Sequence, residues 1–253
     1  MKLGLVQYSP VWENQEESIL KIEQLLKSSS LKFDLLIFPE MTLTGFTMQS
    51  GKFAEDIDGL GTKYFINLSA RLKTNIFAGI IERDGENIFN SLVHFDSFGL
   101  IRARYRKIHP FSNAKEDKFY NAGNETVITQ IEKIKFGLSV CYDLRFPELY
   151  RLYSKDRIEV LIDIANWPIP RIEHWKTLLK ARAIENQCFM IGVNRVGTDP
   201  FNDYNGFSAV FNPMGNEIVL AENEEKIIET EINFGLVSAT RNKLPFLQDI
   251  KLI

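Results

Sequence analysis

Lys135-Phe136-Gly137-Leu138-Ser139-Val140-Cys141-Tyr142-Asp143-Leu144-Arg145-Phe146-Pro147-Glu148 decides how the chain is read. It opens as a short apolar run of the kind that forms a buried strand. It stops at Cys141 and a polar turn. A helical pattern follows, with Pro147 near its first turn and Leu149, Leu152 and Tyr153 on one face. A cysteine at a strand-to-helix switch stands outside the carboxyl end of a strand, where open α/β sheets hold their ligands. A helix starting at that point would lower the thiol pKa and offer N–H groups to an oxyanion. The same position also suits a buried structural cysteine.

Outward from this stretch, the N-terminal Leu3–Tyr8 run predicts a first strand. Asn14 is a cap for a helix carrying Ile19, Ile22, Leu25 and Leu26, which ends at Ser28-Ser29-Ser30. Asp34–Pro39 is a second buried strand followed by Glu40. Thr62–Lys73 is a helix with Phe65, Leu68 and Leu72 as its stripe. Asn75–Ile81, the Asp84-Gly85 turn, Ile88–Phe95 and Leu100–Tyr105 form a meander. His94 is expected to alternate outward. A long connection from Arg106 to Asn124 delivers a hairpin, 126–131 and 133–140, that ends at Cys141. Glu159–Ala165, the helix Glu173–Gln187, and strands at 189–193, 206–211, 217–220 and 227–232 complete the pattern, with a turn at 212–215. No linker or repeat divides the chain. The expectation is one α/β domain over residues 1–253, with helical layers on mixed sheets.

Composition narrows the function classes. The formal net charge of −3 gives no footprint for nucleic acid or an anionic membrane. No apolar run approaches membrane-spanning length, and Met1-Lys2 leads straight into a strand without a signal peptide. Two cysteines, Cys141 and Cys188, make no disulfide framework and fit a reducing cytoplasm. No zinc-type Cys/His spacing occurs, and no metal or other cofactor is expected.

Three reactive side chains stand just past β-runs: Glu40, Lys107 and Cys141. A sheet could bring all three to one rim. A thiol needs a base. Glu40 can serve if apolar surroundings raise its pKa. Lys107 and the backbone N–H of Tyr142 can hold an oxyanion. Taken singly, Glu40 also reads as a solvated loop acid and Lys107 as a surface base. His109 is an alternative base, or a loop histidine bonded to backbone; His174 begins a helix.

Phe38-Pro39-Glu40-Met41, Tyr105–Phe111 and Ser139–Glu148 resemble the three signature blocks of the nitrilase superfamily, the carbon–nitrogen hydrolases. The resemblance implies a four-layer α-β-β-α sandwich with two mixed β-sheets, usually dimerised. It implies Glu40 as general base, Lys107 as oxyanion stabiliser, Cys141 as nucleophile, and Glu116 as the second glutamate that positions the substrate amide. Pro110 departs from the leucine of that pattern. Thr42–Phe46, Asn121–Asn124, Ala165–Arg171 and Ala181–Gln187 resemble the bacterial omega-amidases, which hydrolyse the terminal amide of alpha-ketoglutaramate and alpha-ketosuccinamate.

Such a substrate needs a cation for its carboxylate. Arg145, four residues after Cys141, and Arg171 are the candidates, with Trp167 and Phe111 as pocket walls. Arg145 could instead pair with Glu148 at i,i+3. The expected partners are a small amide and a second copy of the chain, with the apolar tail at 243–253 near that interface. Nitrile or carbamoyl hydrolysis and acyl transfer stand as alternatives, transfer onto a lipoprotein being disfavoured without a membrane segment. Outside the family, the alternatives are a metal-dependent phosphohydrolase using Glu40, Asp143, His109 and His174, or a non-catalytic scaffold.

Overall fold

The computed structural model describes residues 1–28 and 32–252. The chain runs β1 (Lys2–Gln7), α1 (Gln15–Ser28), β2 (Leu35–Ile37), α2 (Ser50–Phe53), α3 (Leu60–Leu72), β3 (Asn75–Asp84), β4 (Asn87–Phe95) and β5 (Ile101–Arg106). Two 3₁₀ turns, Ser112–Ala114 and Glu116–Lys118, order the long connection. Next come β6 (Ile128–Ile131), β7 (Ile134–Val140), a 3₁₀ turn over Cys141–Arg145, α4 (Pro147–Lys155), β8 (Val160–Ala165) and α5 (Ile172–Asn186). The chain closes with β9 (Phe189–Asn194), β10 (Val196–Thr198), β11 (Asp203–Phe211), β12 (Glu217–Glu222), β13 (Lys226–Glu231) and α6 (Gly235–Lys243).

Two mixed sheets result. One has the order β13-β1-β2-β3-β4-β5. The other has the order β10-β11-β9-β8-β7-β6, with β12 on β11. Within them β1, β2 and β3 run parallel, as do β7, β8 and β9. The sheets face each other, with Leu5, Phe77 and Tyr105 of the first in one core with Phe136, Leu138 and Ile162 of the second. Helices α1 and α3 cover the outer face of the first sheet, and α5 lies on β9 and β11 of the second. The layering is α-β-β-α, as the resemblance implied.

Local chemistry explains the helix limits. Asn14 Oδ1 accepts the Glu17 N–H at 3.1 Å, and Glu16 and Glu17 occupy the first turn of α1, where the helix dipole favours anions. That helix runs to Ser28; the stop expected at Ser29-Ser30 lies outside the described residues. Pro147 starts α4, where its missing N–H costs nothing. Gln187 ends α5 in a left-handed conformation.

Some expectations fail for identifiable reasons. His94 does not point outward; it is buried with 1 % exposure. Most of β4 lies between a helical layer and the other sheet, so alternation carries no solvent face. Leu152, placed on the inner face of its helix, is 43 % exposed. The α-helix begins at Pro147, six residues after the thiol, and leaves only a 3₁₀ turn at Cys141. The expected depression of the thiol pKa by a helix N-terminus therefore has no source there. Two of these elements, β10 and α6, had no sequence reading.

Candidate active site

Glu40, Lys107, Cys141 and Asn166 all emerge at the carboxyl ends of strands, from β2, β5, β7 and β8 respectively. They do not share one sheet, as the sequence reading had it. Glu40 and Lys107 come from the first sheet and Cys141 and Asn166 from the second, so the rim between the layers assembles the group.

Glu40 and Lys107 are buried, neither a solvated loop acid nor a surface base. A Cβ on Gly79 would stand 2.8 Å from the Glu40 Cα and 2.4 Å from the Met41 nitrogen. Glycine is therefore required in β3 to let the Glu40 backbone approach. Lys107 donates its backbone N–H to Asn90 O at 2.8 Å and accepts that of Gly123 at the same distance. Its Nζ lies 2.9 Å from Glu40 Oε1 and 2.9 Å from Glu116 Oε2. The Asn90 amide donates to Glu40 Oε1 at 2.7 Å and to Glu116 Oε1 at 2.9 Å. Asn166 donates its backbone N–H to Glu40 Oε2 at 2.9 Å, and its side-chain amide to Glu40 O at 2.8 Å.

This environment separates two carboxyl groups that share one ammonium. Burial works to raise Glu40, but Lys107, Asn90 and Asn166 outweigh it and hold the carboxyl below its ordinary value. The rise expected from apolar surroundings is not found, because the group is buried among donors. Burial does raise Glu116, and the Glu40 charge adds to that. Lys107 stays charged: burial opposes its proton, and the two glutamates more than restore it.

Cys141 occupies a left-handed turn with φ of 51°. For a residue other than glycine such a conformation costs about 1–3 kcal/mol and persists only where neighbours enforce it. Asp163 Oδ1 accepts the Cys141 N–H at 2.8 Å. Asp143 Oδ2 accepts the Val140 N–H at 3.0 Å and the Tyr105 hydroxyl at 2.8 Å. Arg182 donates twice to Leu144 O, at 2.7 and 3.2 Å. The thiol is half-buried. Burial first, then the Glu40 carboxylate, push it well above the ordinary thiol range, while Lys107 pulls it down.

The thiol opens into a cavity of about 600 Å³, a size ordinary for small-molecule sites. Phe111, Tyr142, Arg145, Trp167 and Arg171 line it with Cys141, so each proposed wall and cation is present. The Arg145 guanidinium lies 4.7 Å from the Trp167 ring centroid, and that of Arg171 lies 5.4 Å from the Phe111 ring. Burial and the nearby Arg171 charge draw Arg145 below its ordinary value. Arg145 does not pair with Glu148. Among the described residues neither arginine forms a salt bridge, and Arg145 touches the His174 ring at 3.3 Å instead. His109 does not line the cavity. Its Nδ1 is 2.7 Å from Asp143 Oδ1, and its ring stacks on Phe146 at 3.8 Å. Among the described residues no cluster of three acidic, histidine or cysteine side chains could hold a metal.

Sequence reasoning missed Asn90, Asn166 and Asp163. The signal for each was a polar residue interrupting or ending an apolar strand run. Asn166 also keeps a buried Oδ1 with no partner among the described residues, where it lines the cavity.

The carbon–nitrogen hydrolase family profile matches residues 2–242. A 2-oxoglutaramate amidase of Bacillus subtilis (strain 168) is 32% identical over 251 residues, covering 98% of this chain and 97% of that protein. An omega-amidase of Escherichia coli (strain K12) is 32% identical over 252 residues, covering 98% and 96%. A CN-hydrolase superfamily protein from Xanthomonas campestris, solved with an arsenic adduct in its active site, superposes with a TM-score of 0.93 at 31% identity. That match covers 100% of this chain and 98% of the other. The fold, the strand-end placement of the three signature blocks and these matches together show that the chain belongs to the carbon–nitrogen hydrolase family.

Proposed function

We propose that the chain is an omega-amidase: a cysteine-dependent hydrolase that removes the terminal amide of short dicarboxylic monoamides, alpha-ketoglutaramate among them. The observation that carries this is the Arg145–Arg171 pair. Two guanidinium groups, neither with a carboxylate partner among the described residues, line the cavity that holds the thiol. A carboxylate is the ligand that relieves their mutual repulsion and accepts their planar donors. The amidase names of the bacterial relatives support the same substrate class.

In this reading Cys141 Sγ attacks the amide carbon and the carbonyl pair moves to oxygen. Glu40 is held low and the thiol high, so Glu40 takes the thiol proton only as the C–S bond forms, and no free thiolate stands beside the carboxylates. Lys107 and the Tyr142 N–H hold the oxyanion. Two ammonium hydrogens suffice for Glu40 and Glu116, which leaves the third for the developing charge. Glu40 passes its proton to the amide nitrogen, the C–N bond breaks and ammonia leaves. Water then adds to the thioester as Glu40 takes its proton; the C–S bond breaks, Glu40 returns the proton to Sγ, and the diacid leaves. Glu116 anchors Lys107 and orients the Phe111 loop, accepting the Phe111 N–H at 2.6 Å. Asn166 Oδ1 accepts an N–H of the substrate amide, which a nitrile lacks.

The enzyme works in the cytoplasm as a homodimer, its C-terminal tail at the interface. Among the described residues no helix is long and apolar enough to cross a membrane. The substrate reading is tested by comparing succinamate with butyramide. Succinamate should be strongly preferred in kcat/KM, and an acid-quenched mass spectrum should show the acyl group on Cys141. Equal rates would sink the carboxylate pocket and leave the amidase chemistry standing.

A further inference from the structure

Asp163 is an acid in the middle of β8, fully buried, and among the described residues no Lys, Arg or His lies in salt-bridge range of it. Its Oδ1 accepts the Cys141 N–H at 2.8 Å. Its Oδ2 sits 2.7 Å from Ser139 Oγ and 2.9 Å from the Tyr150 hydroxyl. Those two hydroxyls are 2.7 Å apart, and Ser139 Oγ is 2.8 Å from the Ile162 carbonyl oxygen. Four short oxygen–oxygen contacts therefore meet in one buried cluster.

Counting protons decides its charge. If Asp163 is ionised, the two hydroxyls bring two protons for four contacts. If it is protonated, the three shortest contacts each carry one. Asp163 Oδ2–H and the Tyr150 hydroxyl both donate to Ser139 Oγ, and Ser139 donates to Ile162 O. Ser139 then uses its single donor and both lone pairs. Only the longest contact, between Oδ2 and Tyr150, is left without a hydrogen. An isolated buried carboxylate would also be costly, and such groups take up a proton instead. The neighbouring acid from the Cys141 turn, Asp143, is held by different donors, Val140, Tyr105 and His109. Burial first, with Asp143 adding to it, keeps Asp163 well above the ordinary carboxylate range.

We propose that Asp163 is a positioning residue that keeps its proton throughout turnover and pins the Cys141 N–H, holding the left-handed turn that aims Sγ into the cavity. Glu40 and Glu116 already set negative charge against the thiol, offset in part by Lys107, and a charged Asp163 would further oppose removal of the thiol proton. A neutral acid supplies the same acceptor without that charge. The inference rests on Cys141 being the nucleophile.

Infrared difference spectra between the wild type and Asp163→Asn at neutral pH read the proton directly. The expected result is a carboxylic-acid carbonyl band in the wild type that is lost in the variant. Its absence would overturn the assignment. In kinetics, Asp163→Ala frees the turn and should lower kcat about 100-fold with little change in KM, the scale of a misplaced reactive group. Asp163→Asn keeps an oxygen for Cys141 and a donor for Ser139, and should recover most of that loss. The pH midpoint of Cys141 alkylation by iodoacetamide should match the wild type in Asp163→Asn. A fall in that midpoint would mean that a charge had been removed, and would also overturn the proposal. If Asp163→Ala does not fold, the infrared and alkylation results decide alone. Turnover by Cys141→Ala would defeat the nucleophile reading while leaving the infrared band in place, so the two failures are distinguishable.

Discussion

Lys107 Nζ lies 2.9 Å from Glu40 Oε1, and both side chains are shut off from solvent. Their strands are separated in sequence by two further strands of the same sheet. Removing one partner of a buried pair leaves an uncompensated charge, typically at 3–5 kcal/mol. Here Lys107→Met would leave Glu40 and Glu116 facing each other.

Lys107→Met should therefore unfold at lower urea concentration, and its kcat should fall at least ~100-fold with the oxyanion contact gone. The pH dependence has a definite sign. Glu40 is held below its ordinary value, so the stability it contributes is present above the ordinary carboxylate range. It is lost as pH falls through the folded value. Without Lys107 that folded value rises, and the acid limb of kcat/KM should move to higher pH. An unmoved acid limb would remove Glu40 from the role of base.

Cys141→Ala should abolish turnover with the fold intact, since thiol and methyl differ little in size. Iodoacetamide should label Cys141, which lines the cavity, far faster than Cys188, which is wholly buried. Peptide mapping after brief alkylation reads both sites at once. Rapid labelling of Cys188 would mean that the second sheet opens readily.

Much of this was legible in the chain. The apolar runs ending at Phe38, Tyr105 and Val140 located the strands, and the side chains just beyond them marked the candidate residues that the structure brings together. The partition of those strands between two sheets was not legible, because strand pairing is decided by contacts far apart in sequence. Burial was also hidden. Glu40 and Lys107 look like surface residues singly, and only their mutual neutralisation lets both go inside. Asn90 and Asp163 were overlooked as exceptions in apolar runs. Their partners, Glu116 and Cys141, come from other elements and could not be paired by spacing.

His94 offers a separate test of the core. Burial lowers its pKa to about 4, with Nδ1 at 2.7 Å from Thr129 Oγ1. The unfolded chain takes up this proton below about 6.5 while the folded chain does not, so stability falls as pH falls through that window. Between pH 7 and pH 4.5 the histidine accounts for about 2–3 kcal/mol of lost stability. Urea melts of His94→Gln should be correspondingly less acid-sensitive. A variant with an unchanged pH slope would show that the loss arises elsewhere.

The C-terminal segment leaves Phe246 59 % and Leu252 97 % exposed on one chain. Apolar residues concentrated in so short a segment favour a partner surface. Light scattering at micromolar concentration should return a dimer, and truncation after Lys243 should weaken it. A monomer would contradict the assembly.

The arginine pair gives the sharpest discrimination. Arg145 belongs to the turn that carries Cys141 and lies against Trp167, while Arg171 approaches from the start of α5 across Phe111. A bidentate pair with a substrate carboxylate contributes about 1.5–3 kcal/mol, or ~10–100-fold in kcat/KM. Arg145→Ala should therefore slow succinamate by that factor and leave butyramide, which has no carboxylate, almost untouched. Arg145→Lys should fall between, because an ammonium keeps the charge and loses the planar fork. The two guanidinium groups repel each other, so removing one leaves the other freer to take over. The double variant Arg145→Ala/Arg171→Ala should then lose more than either single change on succinamate alone. Equal losses on both amides in Arg145→Ala would mean that Arg145 supports the Cys141 turn rather than the substrate. Arg171 would then be the cation that decides whether the cavity selects a carboxylate.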